Sequence, residues 1–113
     1  MSDDLPTDLL IAAQSHIAAQ SGVSMIVTHK GDPSNGALFL KINKLDGTAH
    51  VYNQVRLDGE KVWVPALSTD ATPEKEADRY LAEQIAFDPD LWVIEVEDRQ
   101  GRLWFTGRIM DSL

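Results

Sequence analysis

The sequence contains no cysteine. This absence excludes structural disulfides, thiolate zinc sites and cysteine nucleophiles, and it fits a reducing compartment. The sequence also lacks any apolar run near the roughly 20 residues that a membrane-spanning helix needs. Its first residues, Met1-Ser2-Asp3-Asp4, are acidic where a secretory signal would be basic. We therefore expect a cytoplasmic protein without a membrane segment.

Positive charge is scarce. Lysine and arginine number 10 against 18 aspartates and glutamates, so the formal net charge is −8. A field of this sign repels phosphate backbones, and we expect no nucleic-acid partner. With 113 residues, of which 43% are hydrophobic, the chain has the size and apolar content of one domain. We predict a single domain over residues 1–113, with an ordered core at about 7–106.

Two segments have helical periodicity. Residues 7–21 place apolar side chains on one stripe, with Thr7 as the predicted N-cap and Gly22 as the glycine that ends the helix. A second helix is predicted from Pro73 to about Ala86, with Thr72 as its cap.

Six segments have the alternation or the β-branched and aromatic content of strands, and turn residues such as Asp46-Gly47 separate several of them. The predicted strands are residues 23–30, 37–44, 48–55, 61–65, 91–97 and 102–106. Short turns favour antiparallel neighbours. We therefore predict an α+β fold, with a mainly antiparallel five- or six-stranded sheet and two helices packed on it.

Four stretches resemble a known family. They are Lys30-Gly31-Asp32, residues 36–42, residues 45–49 and, most specifically, residues 87–102. Together they resemble the small alphaproteobacterial proteins known as domain of unknown function 1491, over roughly Leu9 to Phe105. The resemblance implies a bacterial cytoplasmic setting and one compact domain, and it brings no activity or catalytic residue. Members of that family often have a strand before the first helix, so residues 9–12 remain open between helix and strand.

Acidic residues concentrate near the C-terminus, and two interpretations of them are open. In the first, they form a solvated strand end whose charges pair with Arg99 and Arg102. In the second, three of them converge on a divalent cation, which takes several oxygen ligands. The residues of this second interpretation are Asp90, Glu95 and Glu97.

Tryptophans on the last two predicted strands indicate a different kind of site. Trp92 shares a strand face with Ile94 and Val96 and is expected in the core. Leu91 and Val93 then lie on the outer face and need cover from a helix or another subunit. Exposed aromatic side chains on an edge strand are common interface anchors. The predicted interaction surface consists of Trp92, Glu95, Glu97, Arg99, Arg102 and Trp104.

The sequence shows no set of nucleophile, base and orienting group. His16, His29 and His50 lack the spacing of a metal-binding pair, and no serine lies in a nucleophile elbow. We therefore predict a non-catalytic protein-interaction module without cofactor or metal, with a homo-oligomer formed through a hairpin from Trp92 to Phe105 or another protein as its partner. A small metal-dependent enzyme built on the C-terminal carboxylates is the alternative.

Overall fold

The computed structural model describes residues 5–34 and 36–110. Within them lie two helices, α1 (Thr7–Gln20) and α2 (Glu74–Phe87). The seven strands of this part of the chain are β1 (Ser24–His29), β2 (Leu38–Asn43), β3 (Thr48–Leu57), β4 (Glu60–Pro65), β5 (Thr72–Pro73), β6 (Trp92–Glu97) and β7 (Arg108–Ile109). Neither helix has the length and apolar character that crossing a membrane requires.

The strands form one mixed sheet in the order β1-β6-β2-β3-β4-β7, and β5 pairs with β3. The α+β class and the two helices are confirmed, whereas the mainly antiparallel sheet of five or six strands is wrong. β6 enters between β1 and β2, pairing antiparallel with β1 and parallel with β2. A second parallel pair joins β4 and β7. These pairings arise because β6 follows α2, and a crossover through a helix can return a strand parallel to an earlier one.

α1 includes residues 9–12, for which the sequence left both a helix and a strand possible, and these residues are helical. Its end follows the predicted chemistry. Gly22 has a φ of +76°, its N–H donates to Ala19, and the N–H of Val23 donates to Ala18, which together form a Schellman motif. Its start differs, because Pro6 occupies the N-cap and Thr7 is already helical.

One face of the sheet packs against α1. Leu38, Leu40 and Ile42 of β2 meet the alternating residues of β6 there. Ile11 of α1 closes this core from one side. The remaining buried members are Tyr52, Trp63, Trp92, Ile94, Val96, Leu103 and Phe105.

The opposite face packs against α2. Ala77 and Leu81 of α2 are part of a second core, with Tyr80 and Ile85 at its margin. This core includes Leu91 and Val93, so α2 supplies the cover that the outer face of β6 requires. Its other buried members are Phe39, Ala49 and Val51. The helix itself begins one residue later than expected, because Thr72 and Pro73 pair with β3.

The predicted strand 102–106, and with it the C-terminal hairpin, is wrong. Residues 101–104 have no regular structure, and Trp104 has a φ of 68° that extended strands do not adopt. The segment instead crosses the α1 face, where Leu103 and Phe105 join the core. The strand at the edge of the sheet beside β4 is β7, which is two residues long.

Candidate functional site

Residues of two of the family stretches, 30–32 and 87–102, meet at the start of β6. The N–H of Asp32 donates to the carbonyl of Asp90 at 2.8 Å, and Trp92 Nε1 donates to the carbonyl of Asp32 at 2.7 Å. A Cβ on Gly31 would lie 2.2 Å from the Asp90 carbonyl oxygen, so only glycine fits at this crossing. Trp92 is 3% exposed. These residues of the first and last of the four family stretches therefore build a structural junction.

The second part of the long motif forms a turn around Asp98, which is 5% exposed. Its carboxylate accepts hydrogen bonds from Arg102 Nε at 2.8 Å, Trp104 Nε1 at 2.7 Å and the N–H of Gln100 at 2.8 Å. Burial alone would raise the pKa of Asp98, but these donors outweigh it and hold the pKa below its ordinary value of 3.8. Arg102 also lies over the Trp104 ring, 4.9 Å from its centroid.

A buried lysine is the most unusual charged residue of the sheet. Lys41 sits on central strand β2, faces α2 and is 4% exposed. Its Nζ donates to Glu74 Oε2 and Asp78 Oδ1 of α2, each at 2.7 Å, and lies 3.6 Å from Glu95 Oε1 of β6. Asn43 Nδ2 links Glu74 and Glu95, at 3.2 and 3.0 Å. We call these five residues the Lys41 cluster.

The cluster determines the charge state of its lysine. Burial alone would lower the pKa of Lys41, but the hydrogen bonds that it donates to Asp78 and Glu74 and the charge of Glu95 raise it above its ordinary value of 10.5. A lysine that attacks a carbonyl needs a lowered pKa to provide its neutral amine. Lys41 therefore acts as a fixed cation and not as a nucleophile.

Beside the cluster, a groove of about 410 Å³ runs between α2 and β1. We call it the α2 groove. The Lys41 cluster residues Lys41, Glu74, Asp78 and Glu95 line it, and Thr28 of β1 contributes to its wall. Its apolar lining is Leu81, Ala82, Ile85 and Val93. The groove thus combines an apolar surface with one cation and three carboxylates, which leaves two negative charges in excess.

β1 forms the edge of the sheet next to this groove. Within the described residues its one strand neighbour is β6, and its outer side faces no other strand. Ile26 lies opposite Glu95, on the α2 side of the sheet, and is 49% exposed. Val27 lies opposite Ile94 on the other face and is 44% exposed. We call residues 24–29, with their outer backbone groups, the open edge.

The three carboxylates of the metal interpretation do not converge. Glu95 is engaged by Asn43 and Lys41, whereas Asp90 lies in the turn before β6, about 16 Å away along an extended chain. In the part of the chain that the structure describes, no group of three histidines, aspartates or glutamates is arranged to hold a metal ion.

The predicted interaction residues fall into three places. Trp92 is in the α1 core, and Arg102 and Trp104 belong to the Asp98 turn. Glu95 lines the α2 groove. Glu97 lies opposite Ser24, where the open edge begins, and exposed Arg99 follows in the next turn.

Sequence reasoning missed Lys41, Asn43, Glu74 and Asp78. A signal for them exists in the pattern. Phe39, Lys41 and Asn43 alternate on a strand whose other face is wholly apolar, and Glu74 and Asp78 are four residues apart on a helix that covers this sheet. A lysine in a central strand requires a carboxylate partner, and one helical face offers two.

In the part of the chain that the structure describes, the fold and the site define a small α+β protein with a mixed sheet between two helices, an acidic groove and an open edge. Residues 5–106 match the family model described as "Protein of unknown function (DUF1491)", and the chain belongs to this family. No curated protein matches the sequence.

Solved structures of similar proteins share the fold. A crystal structure of a DUF1491 family protein from Caulobacter crescentus is 34% identical, with a TM-score of 0.84 over 94% of this chain and 99% of that one. An NMR structure of a DUF1491 family protein from the same organism is 33% identical, with a TM-score of 0.82 over 96% and 99%. Protein Atu0922 from A. tumefaciens, 22% identical over 92% and 96%, has a TM-score of 0.73 and shows the fold alone.

Proposed function

We propose that this protein is a non-catalytic protein-interaction module that binds an extended segment of its partner along the open edge. The observation that carries the proposal is the state of β1, a six-residue edge strand with Ile26 and Val27 half exposed. A strand added to such an edge gains main-chain hydrogen bonds, and pockets beside the edge select its alternate side chains. The α2 groove provides such a pocket.

The composition of β1 supports this role. Edge strands of monomeric proteins are usually protected by charged residues, by proline or by being very short. Residues 24–29 contain no proline, lysine, arginine, aspartate or glutamate, and only a bulge between Val27 and His29 interrupts the pairing with β6. The opposite edge has the usual protection, because β7 is two residues long and begins with Arg108.

The proposal retains part of the surface expected from the sequence. Glu95 and Glu97 lie beside the open edge, and Glu97 is opposite Ser24, the first residue of that edge. The Asp98 turn follows Glu97 and carries Arg99, Arg102 and Trp104. The net charge of −8 supports a protein partner and not a nucleic acid. We include in the proposal one domain over the whole chain, because α1 and α2 pack on the two faces of one sheet, and a cytoplasmic setting, because cysteine is absent.

Site-specific photo-crosslinking tests the proposal. Benzoylphenylalanine replaces Ile26 in one version of the protein and Leu67 in another, both produced in Caulobacter crescentus cells. Leu67 is the matched control, because it is 41% exposed and follows β4, away from the open edge. We expect a discrete crosslinked product from position 26 and none from position 67.

A second substitution makes the result specific to strand addition. Val27→Lys places a charge on the open edge, which is the device natural edge strands use against pairing. We expect it to abolish the product from position 26, whereas Leu67→Lys leaves the product unchanged. Equal crosslinking from both positions, or a product that survives Val27→Lys, would overturn the proposal.

A further inference from the structure

We infer that the segment bound at the open edge is basic, with lysine or arginine side chains that reach into the α2 groove. This inference rests on the proposed function and specifies the chemistry of the partner. It follows from three features taken together: the spacing of the strands, the position of Glu95 and the charge of the groove.

The strand spacing brings the partner within reach of the groove. Neighbouring strands lie about 4.8 Å apart, so a strand added to β1 runs about 10 Å from β6. Ile26 and Glu95 lie directly opposite each other on the α2 side of the sheet. A partner side chain on this side packs its stem across the exposed surface of Ile26 and brings its terminal group to Glu95. Lysine and arginine have the long apolar stems that such a path requires.

The charge of the groove selects the sign of that terminal group. Lys41 is one cation shared by three carboxylates, so it does not neutralise them. Asp78 keeps 57% of its side chain exposed and Glu74 keeps 36%, so both can be reached from solvent. An arriving cation finds these carboxylates already oriented by Lys41 and Asn43. An arriving carboxylate meets their excess negative charge and is repelled.

The same electrostatics disfavour a second copy of this chain as the occupant. Two copies each carry a formal charge of −8, and pairing of two open edges brings two acidic grooves to one sheet. A basic segment is attracted by the whole protein over a distance and by the α2 groove at contact. The partner is therefore an extended segment in which cationic and apolar side chains alternate.

NMR titration with synthetic peptides tests the inference. The ¹⁵N-labelled protein is titrated with three end-blocked octapeptides, which alternate valine with lysine, threonine or glutamate. We expect the lysine peptide to shift the amide signals of residues 24–29 and of Glu95. We expect the threonine peptide to bind the same residues at least threefold more weakly and the glutamate peptide to leave them unchanged.

Two matched variants separate groove charge from overall charge. Asp78→Asn removes a carboxylate of the groove, and Glu83→Gln removes one from an exposed position on the other side of α2. The coupling of one partly exposed ion pair corresponds to a change of about two- to fivefold in Kd. We expect Asp78→Asn to weaken binding of the lysine peptide by that factor and Glu83→Gln to leave it within experimental error.

The possible results distinguish this inference from the proposed function. Equal binding of the lysine and threonine peptides at residues 24–29 supports the interaction module and overturns the basic partner. Equal weakening by Asp78→Asn and Glu83→Gln also overturns it, because the attraction is then nonspecific. A concentration-dependent dimer by sedimentation, lost on Ile26→Lys, identifies a second copy as occupant, which supports the interaction module and overturns the basic partner. No shift at residues 24–29 with any peptide, and no dimer, contradicts both proposals.

Discussion

Replacing Lys41 with methionine tests whether the Lys41 cluster holds α2 on the sheet. Methionine keeps the length and most of the volume of lysine and removes its charge. In the native cluster the Nζ lies 2.7 Å from Glu74 and Asp78 and 3.6 Å from Glu95. The variant therefore leaves three carboxylates close together with no cation between them.

The burial of the remaining carboxylates sets the size of the effect. Breaking a fully buried ion pair by removing one partner costs about 3–5 kcal/mol, because the other charge stays unsolvated. Here Glu74 and Asp78 are exposed enough to be hydrated, and Glu95, at 19% exposure, is the most buried of the three. We therefore expect Lys41→Met to lower the free energy of unfolding by about 2–3 kcal/mol, below that range.

Urea and thermal unfolding at pH 7 measure this loss. A change of this size in a domain of about this length lowers Tm by roughly 8–15 °C. Adding Glu95→Gln to Lys41→Met removes the least hydrated carboxylate, and we expect it to restore about 1 kcal/mol. An unchanged or raised Tm in Lys41→Met, or a double variant less stable than the single one, would refute the reasoning.

The pH dependence of the same pair of proteins gives an independent check. The pKa of Lys41 is raised in the folded state above its ordinary 10.5. The stability that its charge contributes is then fully present below pH 10.5 and is lost as the pH rises through the raised value. The advantage of the natural protein over Lys41→Met should stay constant from pH 7 to 10 and decrease only above it.

Two further substitutions test the motif residues. Asp98→Asn should cost about 1–3 kcal/mol at pH 7, because the buried acceptor loses its charge. Since the folded pKa of Asp98 lies below 3.8, this cost should be constant at neutral pH and shrink in urea titrations only as the pH falls below about 4. Gly31→Ala places a Cβ against backbone atoms of residues 90 and 91 and should cost about 1–3 kcal/mol. Ser34→Ala, at an exposed position in the same loop, should stay within about 0.5 kcal/mol, and equal melting temperatures for the two loop variants would contradict the close crossing.

Local sequence patterns predicted both helices and most of the strands, because the residues that form each pattern lie within a few positions of one another. Apolar periodicity identified both helices and the strands β1 to β4 and β6, and Gly22 marked the end of α1. The strand order was missed for a physical reason. Pairing of β6 between β1 and β2 depends on contacts over about 50 to 70 positions of sequence, and a local pattern contains no information about them.

The prediction of a strand at residues 102–106 is wrong because side-chain hydrogen bonds to Asp98 outweigh the strand propensity of this segment. Residues 102–106 have the aromatic content of a strand. Asp98, however, accepts hydrogen bonds from both Arg102 and Trp104, and the backbone at Trp104 has a positive φ. The acidic hairpin, which was expected to form an exposed interaction surface, is thus partly a buried network of hydrogen bonds around Asp98.

The site was only partly predictable. Glu95 was named from its acidic neighbourhood, but its partners Lys41 and Asp78 come from β2 and α2, far away in sequence. The open edge could not be anticipated, because which strand ends a sheet depends on the whole topology. Among the described residues no strand lies on the outer side of β1, and Val27 on this strand is 44% exposed.

The position of β6 also has a consequence for the order in which this protein assembles during synthesis. The ribosome makes α1, β1, the β2–β4 meander and α2 before it makes the strand that joins β1 to the rest of the sheet. A nascent chain that ends before residue 92 therefore lacks the strand that pairs with both β1 and β2, so β1 has no strand partner and β2 is paired with β3 alone. The meander can form during translation, whereas attachment of α1 and β1 waits for the last quarter of the chain. Until then, both backbone edges of β1 are available for pairing, and the arrival of β6 covers one of them and leaves the other as the open edge.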